Sequence, residues 1–114
     1  MNFIEANNAL VELTTEIEKL SFELSGAQEV YLIKKAIYER DFAKYCLETE
    51  VNDSDATQTH VKATATNLAF DAKMEYIKAK SAYEAIRVSL AAKRDRLDGL
   101  RELCFNLRSE RKIL

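Results

Sequence analysis

The chain has 114 residues, enough for one domain, of which 47% are apolar and 32% charged, with two glycines, no proline and no tryptophan. So few turn-forming residues exclude an all-β sandwich and an alternating α/β fold, which both need many tight turns. The 17 basic and 19 acidic residues nearly balance, which argues against disorder, and no apolar run is long enough to span a bilayer. We therefore expect a soluble all-α protein that does not interact with a membrane.

The first half of the chain carries apolar residues at alternating spacings of three and four, the pattern of a helix that packs through one seam. This pattern predicts a helix over about residues 2–50. Ser25-Gly26 leaves two alternatives open, because glycine commonly ends a helix: the helix is kinked but continuous there, or it breaks to give a short hairpin within residues 1–50. The residues of this first seam are Phe3, Ala6, Leu10, Leu13, Ile17, Leu20, Leu24 and Ala27, followed by Tyr31, Tyr38 and Tyr45.

Residues 51–55 form the one predicted loop, because four of the five favour turns or caps. Asp55 with Gln58 has the form of an N-cap and its capping-box partner, so a second long helix is expected over about 56–112. A second seam runs through that helix in a single register. Its residues are Ala65, Ala69, Ala72, Tyr76, Ala79, Tyr83, Ile86, Leu90, Lys93, Leu97, Leu100, Cys104, Leu107, Arg111 and Leu114.

Two helices of similar length joined by a short loop predict an elongated, coiled-coil-like antiparallel hairpin that forms a single domain over residues 1–114. In this pairing the tyrosines of the first seam should pack against alanines of the second. Eleven large apolar residues lie off both seams, and leaving them in water would forfeit more than a typical domain's stability. We therefore expect a homodimer or higher oligomer, most simply a four-helix bundle. The eleven are Phe22, Leu32, Ile33, Ile37, Phe42, Leu47, Phe70, Ile77, Val88, Leu103 and Phe105.

Few residues are suited to chemistry. Cys46 and Cys104 lack the spacing of a zinc or redox motif and are expected to be reduced, half-buried thiols. His60 is the one histidine, and we interpret it as a surface or capping residue. No phosphate-binding glycine loop or nucleophile motif is present, and loop 52–55 lacks the glycine and glutamate of a calcium loop. We expect no enzymatic activity, no catalytic residue, no metal and no cofactor.

One charge pattern stands out. Six bases recur every seven residues along the second helix, within residues 71–114, which carry 11 basic and 7 acidic side chains. We call them the basic stripe: Lys73, Lys80, Arg87, Arg94, Arg101 and Arg108. The favoured interpretation is that the stripe pairs with acids of the first helix beside it, namely Glu12, Glu16, Glu18 and Glu23. Local acids compete for the same bases, with Glu84 three residues before Arg87 and Asp98 three residues before Arg101. The alternative is a contact surface for nucleic acid or an acidic partner, which four further bases near the same end would strengthen: Lys93, Arg96, Arg111 and Lys112. No aromatic residue interleaves with the stripe as on a single-strand stacking platform, which weighs against that alternative.

Residues 75–104, EYIKAKSAYEAIRVSLAAKRDRLDGLRELC, resemble the C-terminal helix of short proteins encoded by tailed bacteriophages, often near recombination or replication genes. The resemblance implies a phage or prophage accessory protein that acts on host or phage DNA metabolism in the bacterial cytoplasm. The start of the chain also lacks the pattern of a secretory signal. The expected function is a non-enzymatic adaptor that binds itself and a further, unidentified protein. The alternative is a nucleic-acid-binding recombination or replication accessory protein that uses the basic stripe.

Overall fold

A computed structural model describes the backbone of residues 1–113 and the side chains of residues 1–110. The chain forms three helices, α1 (Phe3–Asn52), α2 (Gln58–Leu68) and α3 (Phe70–Ile113). No strand occurs within residues 1–113, so the predicted all-α fold class is confirmed. Over the same residues, no helix combines the length and apolarity needed to cross a membrane.

Helix α1 begins with a reciprocal cap. The Asn2 side-chain oxygen accepts a hydrogen bond from the Glu5 backbone N–H at 2.8 Å, and the Asn2 amide donates to the Glu5 carboxylate at 3.1 Å. The helix then continues through Ser25-Gly26 to Asn52. The alternative in which the first helix breaks at this pair is therefore wrong.

Helix α2 starts two residues later than predicted and has a different cap. Thr57 is the N-cap, and its hydroxyl accepts a hydrogen bond from the His60 backbone N–H at 3.2 Å. The predicted cap, Asp55, lies in a turn closed by Asp53. The Asp53 carboxylate accepts from the Asp55 N–H at 3.2 Å, and its carbonyl accepts from the Ala56 N–H at 3.1 Å. The turn thus occupies residues that would otherwise have begun the helix.

The predicted second helix is divided into α2 and α3 at Ala69. This residue has φ −93° and ψ 14°, away from the helical ψ of about −42°. The hydrogen bonds on either side persist, because the Ala69 N–H donates to the Ala65 carbonyl and the Lys73 N–H donates to the Ala69 carbonyl, both at 2.9 Å. Ala69 is therefore a local distortion, and it is fully buried.

The chain divides into two compact units. The first unit combines Met1–Ser25 with Glu84–Leu114, and the second unit is Gly26–Tyr83. In the first unit α1 and α3 run antiparallel, because Glu16 contacts Lys93 while Phe3 and Cys104 line the same groove. Its buried residues are Ala6, Leu13, Leu90 and Leu97, all members of the predicted seams.

The second unit also pairs its helices in antiparallel directions, around a stack of tyrosine rings. The ring of Tyr31 lies 5.8 Å from that of Tyr76 and 5.5 Å from that of Tyr83, and Tyr38 lies 5.7 Å from Tyr76. The sequence predicted tyrosines packed against alanines and did not predict these contacts between rings. Stacked rings are favourable in themselves, so bulky residues of the two seams share layers. Val61, Ala65 and Ala69 are the fully buried residues of this unit.

Candidate functional site

In the second unit α1 carries a second apolar face, which its partner helices leave uncovered. Leu32, Ile33 and Leu47 are 50%, 51% and 63% exposed, and Ala36 and Ala43 are also exposed. Helical spacing places these five residues together. We call them the outer face of α1. Among the eleven off-seam apolar residues, Ile37, Phe42 and Leu103 are half-buried and the other eight are exposed.

One charged residue, Arg40, lies within the outer face. Its guanidinium contacts the Asp41 carboxylate at 3.1 Å, so the charge is compensated on the same helix. Apolar residues spaced by three and four around a single charged position form a heptad pattern, with Ile33, Ala36, Arg40, Ala43 and Leu47 in the central positions. This arrangement is typical of a helix that pairs with another helix.

In the first unit an acidic residue of α1 bonds to α3 through a seam lysine. The Lys93 ammonium donates to the Glu16 carboxylate at 2.8 Å, with 28% of the lysine side chain and 54% of the glutamate side chain exposed. This hydrogen bond and the lysine charge lower the pKa of Glu16, and the charge of Arg96 lowers it further. Glu16 therefore faces Lys93 and Arg96, neither of which belongs to the basic stripe.

The four bases of the stripe in the first unit are exposed, and none pairs with α1 among the described side chains. Arg87 contacts Glu84 at 2.9 Å and Arg101 contacts Asp98 at 3.8 Å, both acids of the same helix. Arg94 and Arg108 have no ion-pair partner within that part of the chain. The predicted ion pairs between the stripe and Glu12, Glu16, Glu18 and Glu23 are therefore not formed there.

The remaining bases of the candidate site lie elsewhere. In the second unit Lys80 is exposed and Lys73 is half-buried, and neither has an ion-pair partner among the described side chains. The side chains of Arg111 and Lys112 lie outside the described residues. The structure thus places four arginines of the stripe on one unit and two lysines on the other.

A surface groove of about 240 Å³ lies between α1 and α3 in the first unit, and two arginines of the stripe line it. Phe105 also lines it and is 69% exposed. The expectation that no aromatic residue interleaves with the stripe is therefore wrong, since Phe105 lies four residues after Arg101 and three before Arg108. Helical spacing alone predicts this neighbourhood. The groove residues are Phe3, Asn7, Leu10, Arg101, Cys104, Phe105 and Arg108.

The residues considered for catalysis or metal binding are two cysteines and a histidine. Both Cys46 and Cys104 are free and half-buried, as predicted. His60 is exposed and its backbone N–H takes part in the cap of α2. No group of three or more side chains suited to holding a metal occurs among the described residues. No protein-family model, curated protein or solved structure matches the chain.

Proposed function

We propose that the protein is a non-enzymatic helical interaction module that binds a second copy of itself through the outer face of α1. The observation that supports this most is the exposed second heptad over Leu32–Leu47. In keeping with the resemblance of residues 75–104, we propose that the module serves a phage or prophage as an accessory to DNA metabolism. A further protein partner would be recruited by the assembled form.

Charge placement favours a second copy in a parallel orientation. In a parallel pair of helices, a residue on one flank of the seam lies beside the residue five positions later on the other flank of the partner. Glu39 and Lys44 flank the outer face at this separation, and both are exposed. Two copies would therefore form two Glu39–Lys44 pairs, one on each side of the interface.

Arg40 adds specificity to this pairing. A single polar residue at a central heptad position fixes register and oligomer number at a cost in stability. The Arg40 side chain already contacts Asp41, so it would enter the interface partly neutralised. In the aligned register the two Arg40 side chains face each other and their repulsion weakens the dimer, whereas a slip by one heptad would bury each guanidinium against Leu47 or Ile33 of the other copy.

The size of the face indicates a reversible dimer. Leu32, Ile33 and Leu47 are each half exposed or more. Burying the exposed part of each side chain would stabilise the dimer by about 1 kcal/mol. Six such side chains supply roughly 6 kcal/mol, against an association cost of about 4 kcal/mol or more. The net stabilisation is small, so dimer and monomer should exchange with concentration.

Sedimentation velocity over a roughly hundredfold range of concentration tests this proposal. The unmodified chain should shift from monomer to dimer, whereas Leu47→Glu should remain monomeric at every concentration. Phe22→Glu is the matched control, because Phe22 is 83% exposed but belongs to the first unit and not to the outer face. A wild-type chain that stays monomeric, or a Leu47→Glu dimer as strong as wild type, would contradict the proposal.

A second candidate function is nucleic-acid binding through the basic stripe. It is supported by the four exposed arginines of the first unit, which lack an acidic partner on α1 among the described side chains. Such a row attracts a phosphate backbone and releases its counterions. Salt-dependent binding to oligonucleotides tests this function.

A further inference from the structure

The groove of the first unit combines cationic and aromatic groups on one surface. Arg101 and Arg108 bring two positive charges, and Phe105 brings a ring that is 69% exposed. An exposed ring between two guanidinium groups offers an apolar surface beside positive charge, which suits an anionic ligand with an apolar surface. Phosphates joined to flat, stackable bases have both properties.

We propose that this groove binds single-stranded nucleic acid, with one base stacked on Phe105 and phosphates held by Arg101 and Arg108. The inference rests on the second candidate function and makes it specific. Seven residues separate the two arginines, which corresponds to about 10.5 Å along the helix. Phe105 lies within this interval, so a base between two bound phosphates would reach its ring.

The aromatic contact selects single strands. In a duplex each base is stacked on its neighbours and its face is not available to a side chain, whereas an unpaired base can rotate out and stack. Asn7 lines the opposite wall with an amide that donates and accepts hydrogen bonds, so it would suit the edge of any base. We therefore expect little dependence on base sequence.

The charges of α1 beside the groove do not repel a phosphate ligand. Glu16 of α1 bonds to Lys93 of α3, and among the described side chains no acidic residue lines the groove. Asp98 contacts Arg101 at 3.8 Å, too long for a close hydrogen bond, so a phosphate would compete well for that guanidinium.

Fluorescence anisotropy with a labelled oligo-dT and with a duplex of equal length tests the inference on the full chain. Phe105→Ala should weaken single-strand binding by about 5- to 150-fold, the range for loss of one stacked base, and should leave duplex binding unchanged. Phe105→Trp should restore the affinity. Val88→Ala is the control, because Val88 is 65% exposed on the same helix and does not line the groove.

The outcomes separate the two proposals. Equal binding of both oligonucleotides, unaffected by Phe105→Ala, would overturn the groove as a single-strand site and leave the stripe as a phosphate contact. No binding of either oligonucleotide at low salt would overturn nucleic-acid binding altogether. Poly-glutamate binding as tight as that of the single strand would also overturn the inference, since it would show that charge alone is recognised.

Discussion

Replacing Arg94 by glutamine tests the stripe as a phosphate contact. Arg94 is exposed on α3 and has no ion-pair partner among the described side chains. Arg96 provides a matched control, because it carries the same charge two residues away but acts on Glu16. Two residues turn a helix by more than half a revolution, so Arg94 and Arg96 lie on opposite flanks. Arg94→Gln and Arg96→Gln thus remove equal charge from different surfaces.

The structure sets the expected magnitude. For single strands each neutralised phosphate contributes about −0.7 to the slope of log K against log salt. Arg94 and Arg108 are unpaired, while Arg87 and Arg101 have local acids at 2.9 and 3.8 Å, so between two and four phosphates are expected. The slope should then be about −1.4 to −2.8, a loss of roughly 7- to 50-fold in affinity from about 50 to 200 mM salt.

Anisotropy titrations of oligo-dT at several salt concentrations measure this slope. Arg94→Gln should make it shallower by about 0.7, and Arg96→Gln should leave it unchanged. Glu84→Gln should increase affinity, since it frees Arg87 from its partner on the same helix. A slope that is equal in wild type and Arg94→Gln, or that responds equally to both arginine substitutions, would refute the assignment of phosphate contacts to the stripe.

Three predictions concern the fold. Leu90→Ala should lower the free energy of unfolding in urea by about 2–5 kcal/mol, because Leu90 is 2% exposed. Val88→Ala, at a position that is 65% exposed, should change it by less than about 0.5 kcal/mol. Similar losses for the two variants would contradict the placement of Leu90 in the core. Glu16→Gln should lower the melting temperature at neutral pH. Because the pKa of Glu16 is lowered in the folded state, its stabilising contribution is fully present above the ordinary value of 4.5 and is lost as pH falls through the folded-state pKa. A difference in melting temperature between wild type and Glu16→Gln that does not change with pH would contradict the Glu16–Lys93 ion pair. Thr57→Ala should cost about 0.5–2 kcal/mol in urea unfolding and more than Asp55→Ala, while the reverse order would restore Asp55 as the cap.

The fold was predictable where apolar periodicity reports burial directly. Ala6, Leu13, Leu90 and Leu97 belong to the predicted seams and are buried in the first unit. The sequence does not determine which seam residues of the two helices pack against each other. Shifting one helix by half a heptad leaves every seam residue within the seam. Tyr31 stacks on two tyrosine rings of the second seam, and such contacts between rings are favourable in themselves.

Much of the candidate site was also encoded in the heptads. The stripe follows one set of seam positions on α3, and the corresponding flank of α1 carries the uncharged Asn7, Thr14 and Ser21. Glu16 precedes a seam residue and so lies on the other flank, where Arg96 acts on it. The same counting identifies Phe105 as a neighbour of the stripe. The contact with Lys93 is harder to foresee, because it needs a seam side chain that extends to the surface.

The prediction of a four-helix bundle remains to be tested, and the dimer that we propose would use a narrower contact. In the second unit Leu32, Ile33 and Leu47 of α1 are exposed on the outer face. A parallel pairing of two α1 helices would cover these residues directly. The sequence shows that these residues lie off the seam. That they share one uncovered face becomes clear only from the position of the partner helices.

Disulfide trapping at Ala43 tests the central claim most directly. Helices packed about 8–10 Å apart, with Cα atoms about 2.3 Å from each axis, bring directly facing Cα atoms to about 3.4–5.4 Å, which overlaps the separation of about 4.4–6.8 Å that a disulfide spans. In a chain with Cys46→Ser and Cys104→Ser, Ala43→Cys should therefore oxidise to a covalent dimer, while Thr59→Cys, exposed on α2, should not. Ala43→Cys chains that remain uncrosslinked, or that crosslink no faster than the Thr59→Cys control, would contradict parallel pairing through the outer face.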